Sequence, residues 1–324
     1  MPQLARSPVD AADIGIAYVD VQHLMRLELL ARDLTFLPRQ KHRSILAGQH
    51  SSRVRGRGLN FEEIRHYLPG DDIRTIDWHV TLRTGEPHVR AYTEEKDRPA
   101  FLVVDQSMSM FFGSQRSLKS VVAAEFASIG AWMAFRGGDR VGAVVFNDTD
   151  IEHVKPHRSR NRLHQIFGVI SRFNQSLTAG SAPVEPTATL NRALEEVLRL
   201  AFHDCLVCIA SDFAHADDRT LRLLRNIAAH NDIVAALVFD PLAQKLPGSG
   251  RVVVSQGELQ VELDLNARTV HEPLSDLFNA RLKTVAELLR HSGVPMLAFT
   301  TAESVRDQLS RQLGHIAVPT AARA

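Results

Sequence analysis

Asp105, Ser107 and Ser109 are the residues of this sequence whose types and spacing are best suited to chemistry. They follow the apolar run Phe101–Val104, which is typical of a buried central strand. The carboxyl ends of parallel strands form the edge at which open α/β sheets bind ligands. One carboxylate and two hydroxyls are hard oxygen donors of the kind that Mg²⁺ accepts. The pattern therefore indicates a Mg²⁺ site or, since serines after strands are common in turns and helix caps, a purely local role.

The elements that must position this motif are alternating strands and helices. Further apolar runs predict strands over Arg140–Phe146, Ile151–Lys155, Asp204–Ser211, Ile233–Phe239 and Met296–Thr300. Helical spacing predicts helices near Gln115–Phe135, Asn161–Phe173, Thr189–Ala201, Asp217–His230, Leu274–His291 and Glu303–Leu313. This order predicts an α/β fold with a doubly wound, mostly parallel sheet and one antiparallel edge strand at Ile151–Lys155, together with a hairpin over Arg251–Asp264.

Two later strand ends also carry an aspartate. Asp212 follows the strand predicted over Asp204–Ser211, and Asp240 follows the one over Ile233–Phe239. Strand ends of this kind converge on one edge of a doubly wound sheet, so Asp212 can approach the Asp105 loop, whereas the place of Asp240 is open. A strand-end aspartate also commonly caps the next helix, and the sequence leaves both roles available.

Residues 1–98 are predicted to form an N-terminal helical and charged segment that packs on a main domain over 99–324. A helical pattern runs from Tyr18 to Leu37, where Pro38 ends it. The stretch Arg39–Arg57 is basic and holds no acidic residue. It fits either a contact with phosphates or nucleic acid, or a solvated loop.

The segment 59–98 interleaves acidic residues with arginines around a few large apolar side chains. Leu59–Tyr67 is predicted to be a short helix with Asn60 as its cap. A network of Arg–carboxylate pairs or an active-site cluster could be formed by Glu62, Glu63, Asp71, Asp72 and Asp77. Structural pairing is the favoured interpretation, because the accompanying arginines would keep these carboxylates ionised and engaged.

The composition of the 324-residue chain argues against several classes of protein. A total of 38 Lys and Arg against 37 Asp and Glu disfavours a protein that binds polyanions over its whole surface. No run of about 18 apolar residues is present, so no membrane span is expected. The start of the chain, with Asp10 and Asp13, does not resemble a signal peptide. Cys205 and Cys208 are expected to be buried thiols on opposite faces of a strand, and a cytoplasmic location is expected.

The charged segment carries a resemblance to a known family. Tyr67–Trp78, Leu82–Gly85 and Val89–Glu95 resemble the signature of the bacterial family called domain of unknown function 58. In that family the signature runs into Asp-x-Ser-x-Ser, as it does here at Asp105. The family is similar to von Willebrand factor A domains, and the resemblance therefore implies a von Willebrand factor A-like fold for this chain.

The resemblance also implies a metal-ion-dependent adhesion site that binds Mg²⁺. The site would use a threonine from a later loop together with Asp105, Ser107, Ser109 and Asp212. Ala188 stands where the family has this threonine, with Thr187 and Thr189 on either side, and Thr189 is taken as the candidate ligand. The two glycines that precede the threonine in the family are absent.

The function that the resemblance implies is non-enzymatic: a protein-interaction module that works with a MoxR-type AAA-family ATPase in protein maturation or remodelling. The chain has no Walker sequence (Gly-x-x-x-x-Gly-Lys-Ser/Thr), so ATP hydrolysis would belong to that partner. Two other functions are weighed against it. One is a metal-dependent hydrolase that uses Asp71, Asp72 and Asp77 with histidines such as His66 and His79. The other is nucleic-acid binding through Arg39–Arg57.

Overall fold

The computed structural model describes residues 10–32, 34, 59–94, 98–178, 189–243, 251–256, 259–264 and 283–313. It divides the chain into two compact units. Met1–Phe36 and Arg98–Ala324 belong to one, which we call the main unit, and Leu37–Asp97 form the other, the hairpin unit. The first residues of the chain are thus grouped with 98–324, whereas the sequence grouped them with the charged segment.

Strands and helices alternate through most of the described main unit. The strands within the described residues are β1 (Leu59–His66), β2 (His88–Glu94), β3 (Pro99–Asp105), β4 (Arg140–Phe146), β5 (Ile151–His157), β6 (Leu206–Ser211), β7 (Asp232–Phe239), β8 (Arg251–Gln256), β9 (Leu259–Asp264) and β10 (Met296–Thr300). The helices are α1 (Val21–Arg26), α2 (Trp78–Thr84), α3 (Lys119–Arg136), α4 (Arg160–Gln175), α5 (Thr189–Leu200), α6 (Asp218–Ala228), α7 (283–292) and α8 (Val305–Leu313).

A six-stranded sheet in the order β10-β7-β6-β3-β4-β5 forms the centre of the main unit. Neighbouring strands are parallel except β4 and β5, which pair antiparallel at one edge. This confirms the predicted doubly wound, mostly parallel sheet with one antiparallel edge strand. The chain leaves β3 towards β4 on one side and returns as β6 on the other, so the strand order reverses between β3 and β6. Ligands bind open α/β sheets at such switch points, and Asp105 lies at the carboxyl end of β3.

Both faces of the sheet are covered, because β3 and its neighbours are apolar on both sides. Leu102 and Val104 belong to the core that contains α3 and α4, while Phe101 and Val103 belong to the core with α5 and α6. A strand that is buried on both faces reads as a continuous apolar run, which is why β3 was recognisable in the sequence. Cys208 lies in the first core and buried Cys205 in the second, so the predicted placement on opposite faces is confirmed.

The N-terminal segment is less helical than predicted. The side chain of Asp20 accepts a hydrogen bond from the backbone N–H of His23 and thereby caps α1, which ends after six residues and continues as a 3₁₀ turn over Leu27–Leu29. Leu24 and Leu27 are buried in the core formed with α3 and α4. Tertiary packing therefore overrides the helical periodicity in the described part of Tyr18–Leu37, and residues 33 and 35–37 of that predicted helix lie outside the described residues.

In the hairpin unit, the helix predicted over Leu59–Tyr67 is wrong. Leu59–His66 forms strand β1, which pairs antiparallel with β2, and not the short helix predicted over Leu59–Tyr67. The ladder with β2 satisfies the backbone hydrogen bonds of this segment, and this partner could not be read from local propensity. Asp77 caps α2, which lies between the two strands and ends at Gly85 with a left-handed φ of 79°.

The remaining elements follow the predictions where the structure describes them. Strands β8 and β9 form the antiparallel hairpin expected over Arg251–Asp264. Helix α7 covers the last part of the helix predicted near Leu274–His291, whose earlier part lies outside the described residues. No helix in the described parts of the chain is long and apolar enough to cross a membrane.

Candidate functional site

Asp105 is held in place at both of its carboxylate oxygens. It is the last residue of β3, and only 4% of its surface is exposed. Its Oδ1 accepts a hydrogen bond of 2.9 Å from the backbone N–H of Ser107, and its Oδ2 accepts one of 2.5 Å from the hydroxyl of Ser211. Since Ser211 ends β6, these contacts fix the carboxylate at the switch point of the sheet.

A row of three oxygens lies beside this carboxylate. The hydroxyl oxygens of Ser107 and Ser109 are 3.1 Å apart, and Ser109 donates to Oδ1 of Asp212 at 3.2 Å. Neighbouring ligands of an octahedral Mg²⁺ lie about 3 Å apart, because each is about 2.0–2.1 Å from the ion. The donor set and its spacing therefore fit Mg²⁺, and the structure brings together four of the five predicted ligands: Asp105, Ser107, Ser109 and Asp212.

Asp212 also forms an ion pair with Lys119, the first residue of α3. The ammonium nitrogen lies 2.6 Å from Oδ2 of Asp212, and the side chains are 13% and 11% exposed, respectively. The backbone N–H of Ala214 donates to Oδ1 of the same carboxylate. Between them, buried Phe213 adopts a left-handed φ of 51°, a conformation that residues other than glycine rarely adopt and that is often found at functional sites.

The pKa values of the two carboxylates of the site, Asp105 and Asp212, shift in opposite directions. Burial, and then the charge of Asp212, raise the pKa of Asp105 to about 7. Burial also acts to raise the pKa of Asp212, but the Lys119 ammonium and the hydrogen bonds to the carboxylate outweigh it and lower that pKa below its usual value. The site thus contains an ionised Asp212 and an Asp105 that readily takes up a proton, and a bound cation would favour the ionised form of both.

Asp148, in the turn between β4 and β5, is a residue of the site region that the sequence interpretation missed. Its carboxylate accepts a hydrogen bond of 2.7 Å from the backbone N–H of Met108, between the two serines. Its backbone carbonyl accepts a hydrogen bond of 3.1 Å from the hydroxyl of Thr189, at the start of α5. Asp148 therefore links the Asp-x-Ser-x-Ser loop to the buried candidate Thr189. Thr187 and Ala188 lie outside the described residues.

Lys119 and Ser211 are two further residues that contact the carboxylates of the site, and the sequence did not identify them. Ser211 is adjacent to Asp212 in the chain, so its hydroxyl could have been inferred from the strand end. Lys119 lies 93 residues from its carboxylate partner. The one feature of the sequence that could have indicated this contact is the position of Lys119 at the start of a helix, where the helix dipole disfavours a cation that has no acidic partner.

Asp240, the other strand-end aspartate, holds loops together. Its carboxylate accepts hydrogen bonds from the backbone N–H and the hydroxyl of Ser114, from the hydroxyl of Thr301 and from the backbone N–H of Leu242. Although burial opposes the change, these bonds lower its pKa. Asp240 therefore connects the loop before α3 to the carboxyl ends of β7 and β10.

The apolar residues interleaved with the serines are divided between packing and exposure. Met110 is fully buried, whereas Phe112 is 38% exposed. Met110 therefore belongs to the core that contains α3, whereas Phe112 presents an apolar side chain to solvent.

Asp71, Asp72 and Asp77 of the hairpin unit are engaged locally with arginines and helix ends, whereas the side chains of Glu62 and Glu63 lie outside the described part of the structure. Both oxygens of Asp71 accept hydrogen bonds from Arg65, and those bonds lower its pKa. Asp77 accepts from Arg90, which lowers its pKa, and it also caps α2. Asp72 accepts from the backbone N–H of Arg74 at the start of a 3₁₀ turn. These contacts favour the structural interpretation of the acidic residues over an active-site cluster.

A metal site made only of His, Cys, Asp and Glu is not found in the described residues, where no three such side chains are grouped to hold an ion. The hydrolase hypothesis, which would use Asp71, Asp72 and Asp77 with His66 and His79, therefore gains no support from this part of the chain. The basic stretch Arg39–Arg57 lies outside the described residues, so its role stays a prediction.

Comparisons of the sequence with known proteins identify the family of the chain. The chain is 30% identical over 298 residues to an uncharacterized protein of Mycobacterium bovis and to one of Mycobacterium tuberculosis, with 90% of this chain and 92% of each relative covered. A crystal structure of an uncharacterized membrane spanning protein from Vibrio fischeri is 16% identical and covers 67% of this chain and 96% of that one, with a TM-score of 0.21. Residues 63–278 match the family described as protein of unknown function DUF58. The chain belongs to the DUF58 family.

Proposed function

We propose that this protein is a non-enzymatic interaction module that binds Mg²⁺ at the carboxyl ends of β3 and β6 and captures an acidic group of a partner protein there. The observation that carries this proposal is the row of oxygens from Ser107, Ser109 and Asp212, spaced at 3.1 and 3.2 Å. These hard donors converge from the ends of β3 and β6 at a topological switch point, and their hydrogen-bonded separations are compatible with those of neighbouring Mg²⁺ ligands, which supports metal binding.

Each residue of the site has a separate task in this proposal. The hydroxyls of Ser107 and Ser109 and the carboxylate of Asp212 would hold the ion. Asp105 orients the loop through Ser107 N–H and ties it to Ser211, and it adds negative charge close to the ion. Asp148 holds the backbone between the two serines, and Thr189 supports the turn that contains Asp148. When bound, Mg²⁺ would supply positive charge and a coordination position for a carboxylate from the partner.

We infer a MoxR-type AAA-family ATPase as the partner, on the basis of the family resemblance, which also implies a von Willebrand factor A-like site. The chain has no Walker sequence, so the ATPase would supply the hydrolysis and this protein would supply recognition. Phe112, which is 38% exposed and lies three residues after Ser109 in the chain, offers an apolar side chain for contact with the partner. The cytoplasmic location expected from the sequence is part of this proposal.

The proposal is tested by measuring the affinity between this protein and the MoxR-type ATPases of its source organism. Removal of Mg²⁺ alone does not show which of the two proteins requires the ion for binding, because such an ATPase itself binds Mg²⁺ with ATP. The informative comparison therefore uses variants: Asp105→Ala and the pair Ser107→Ala with Ser109→Ala should each weaken binding about tenfold or more, which corresponds to about 1.4 kcal/mol.

Asp218→Ala is the matched control, because Asp218 is an exposed carboxylate at the start of α6 and forms no part of the site. It should bind the ATPase like the original protein. Equal affinities for the control, for Asp105→Ala and for the double-serine variant, with all variants folded, would exclude the site as the point of capture.

A further inference from the structure

Lys119 occupies a position in the site that neither the sequence motif nor the proposed function uses. Its ammonium lies 2.6 Å from Oδ2 of Asp212, whose other oxygen Oδ1 accepts from Ser109 and forms part of the oxygen row. With exposures of 13% and 11%, the two side chains are mostly removed from water, so solvent and salt screen this ion pair only weakly.

The position of Lys119 runs against the electrostatics of its own helix. It is the first residue of α3, an 18-residue helix, and the positive end of the helix dipole disfavours a cation there. No acidic residue lies in the first turn of α3 to compensate it. The contact with Asp212 therefore accounts for a largely buried lysine side chain at this point.

We propose that Lys119 is an internal counter-cation that competes with a divalent metal for Asp212 and thereby sets the metal affinity of the site. This inference rests on the proposed function, since it concerns the same oxygen row. A metal ion that binds Asp212 is repelled by the adjacent ammonium, or must displace it from Oδ2. In the absence of a partner the site then binds metal weakly, and a partner carboxylate, which adds negative charge, promotes binding of the metal.

Metal binding to the complete chain tests the proposal directly. Mn²⁺ and Mg²⁺ affinities are measured by isothermal titration calorimetry for the original protein, Lys119→Met, Lys119→Arg and Asp105→Ala. Lys119→Met removes the competing charge at similar side-chain length and should bind both metals about tenfold tighter, because two cations only a few ångströms apart repel strongly when they are poorly hydrated. Lys119→Arg keeps the charge and should resemble the original protein.

Lys155→Met is the control for net charge. Lys155 is exposed on the edge strand β5, and its removal changes the charge of the protein equally without touching Asp212. It should leave both affinities within about twofold of the original, since an exposed charge is well screened.

The results separate this inference from the proposed function. Metal binding that Asp105→Ala abolishes but Lys119→Met leaves unchanged would overturn the role of Lys119 and retain the metal site. Absence of binding in the original protein together with binding in Lys119→Met would support the inference. Absence of binding in both would overturn the inference and the metal site together.

A second measurement does not depend on any variant folding. Reductive methylation of the original protein, followed by mass spectrometry, reports how freely the Lys119 ammonium reacts. If metal displaces it from Asp212, saturating Mg²⁺ should raise the methylation of Lys119 several-fold and leave Lys155 unchanged. Equal methylation of Lys119 with and without Mg²⁺ would contradict displacement.

Discussion

At the scale of single residues, Asp105 combines two opposing requirements. The motif needs a carboxylate at the end of β3, yet burial and the nearby Asp212 make its charge costly and raise its pKa to about 7. Its pKa in the unfolded chain is about 3.9. Because the folded-state value is the higher one, the contribution of Asp105 to stability is complete below pH 4 and declines as the pH rises towards 7.

Asp105→Asn should therefore stabilise the metal-free protein at pH 8 while it weakens metal binding. The difference between a pKa of about 7 and one of about 3.9 sets an upper limit of about 4 kcal/mol on the gain. Urea unfolding with a chelator, followed from pH 4 to pH 8, measures it. The original protein should lose more stability over this range than the variant, and identical pH profiles would contradict the raised pKa.

At the scale of elements, a glycine in β4 and a proline in β5 pack closely against each other at one edge of the six-stranded sheet. Pro156 lies in β5, an edge strand, where a missing N–H is tolerated. The ladder has a bulge between Val141 and Ala143, and a Cβ on Gly142 between them would lie 2.8 Å from the carbonyl oxygen of Val154 and 2.9 Å from Cγ of Pro156. Asp148 follows β4, so this edge also positions the turn that supports the site.

Gly142→Ala should lower the free energy of unfolding by about 1–3 kcal/mol, because backbone and ring atoms must move to admit the methyl group. Gly168→Ala is the matched control: a Cβ there, within α4, meets nothing within 4 Å. It should stabilise the protein by up to about 1 kcal/mol through helix propensity. Chemical denaturation checks both, and a Gly142→Ala protein as stable as the original would contradict the steric argument.

At the scale of the whole molecule, the main unit is formed by two separate parts of the chain, Met1–Phe36 and Arg98–Ala324. The 61 residues of the hairpin unit, Leu37–Asp97, lie between these two parts in the sequence. The backbone N–H of Val19 donates to Oδ1 of Asn174 in α4, and Nδ2 of Asn174 donates to Oε1 of Gln106. Gln106 follows Asp105, so this buried chain of amide contacts connects the N-terminal segment to the loop of the site.

Leu24→Ala should accordingly destabilise the main unit by about 2–5 kcal/mol, since Leu24 is fully buried in the core formed with α3 and α4. Leu29, five residues later in the same segment, is 60% exposed, and Leu29→Ala should change stability by no more than about 0.5 kcal/mol. Thermal and urea unfolding distinguish the two variants. Equal, small effects would mean that the N-terminal segment contributes little to the core.

The sequence alone determined the described strands and helices of the main unit after Arg98, and the Asp-x-Ser-x-Ser loop. A strand that is buried on both faces is an unbroken apolar run, and a helix has its own period, so both signals are local. The motif around Asp105 is local as well, because its three side chains lie within five residues. The convergence of Asp212 on this loop could be anticipated because strand ends of one doubly wound sheet share an edge.

Only the tertiary structure decided the contacts that depend on partners distant in sequence. Leu59–His66 became a strand because β2 supplied its hydrogen bonds, and the N-terminal segment follows the surface of α3 and α4. Lys119 reaches Asp212 across 93 residues, and Asp148 reaches Met108 across 40. Such contacts leave no periodicity in the chain, because they arise from the register and crossing of elements and not from the spacing of residues within one.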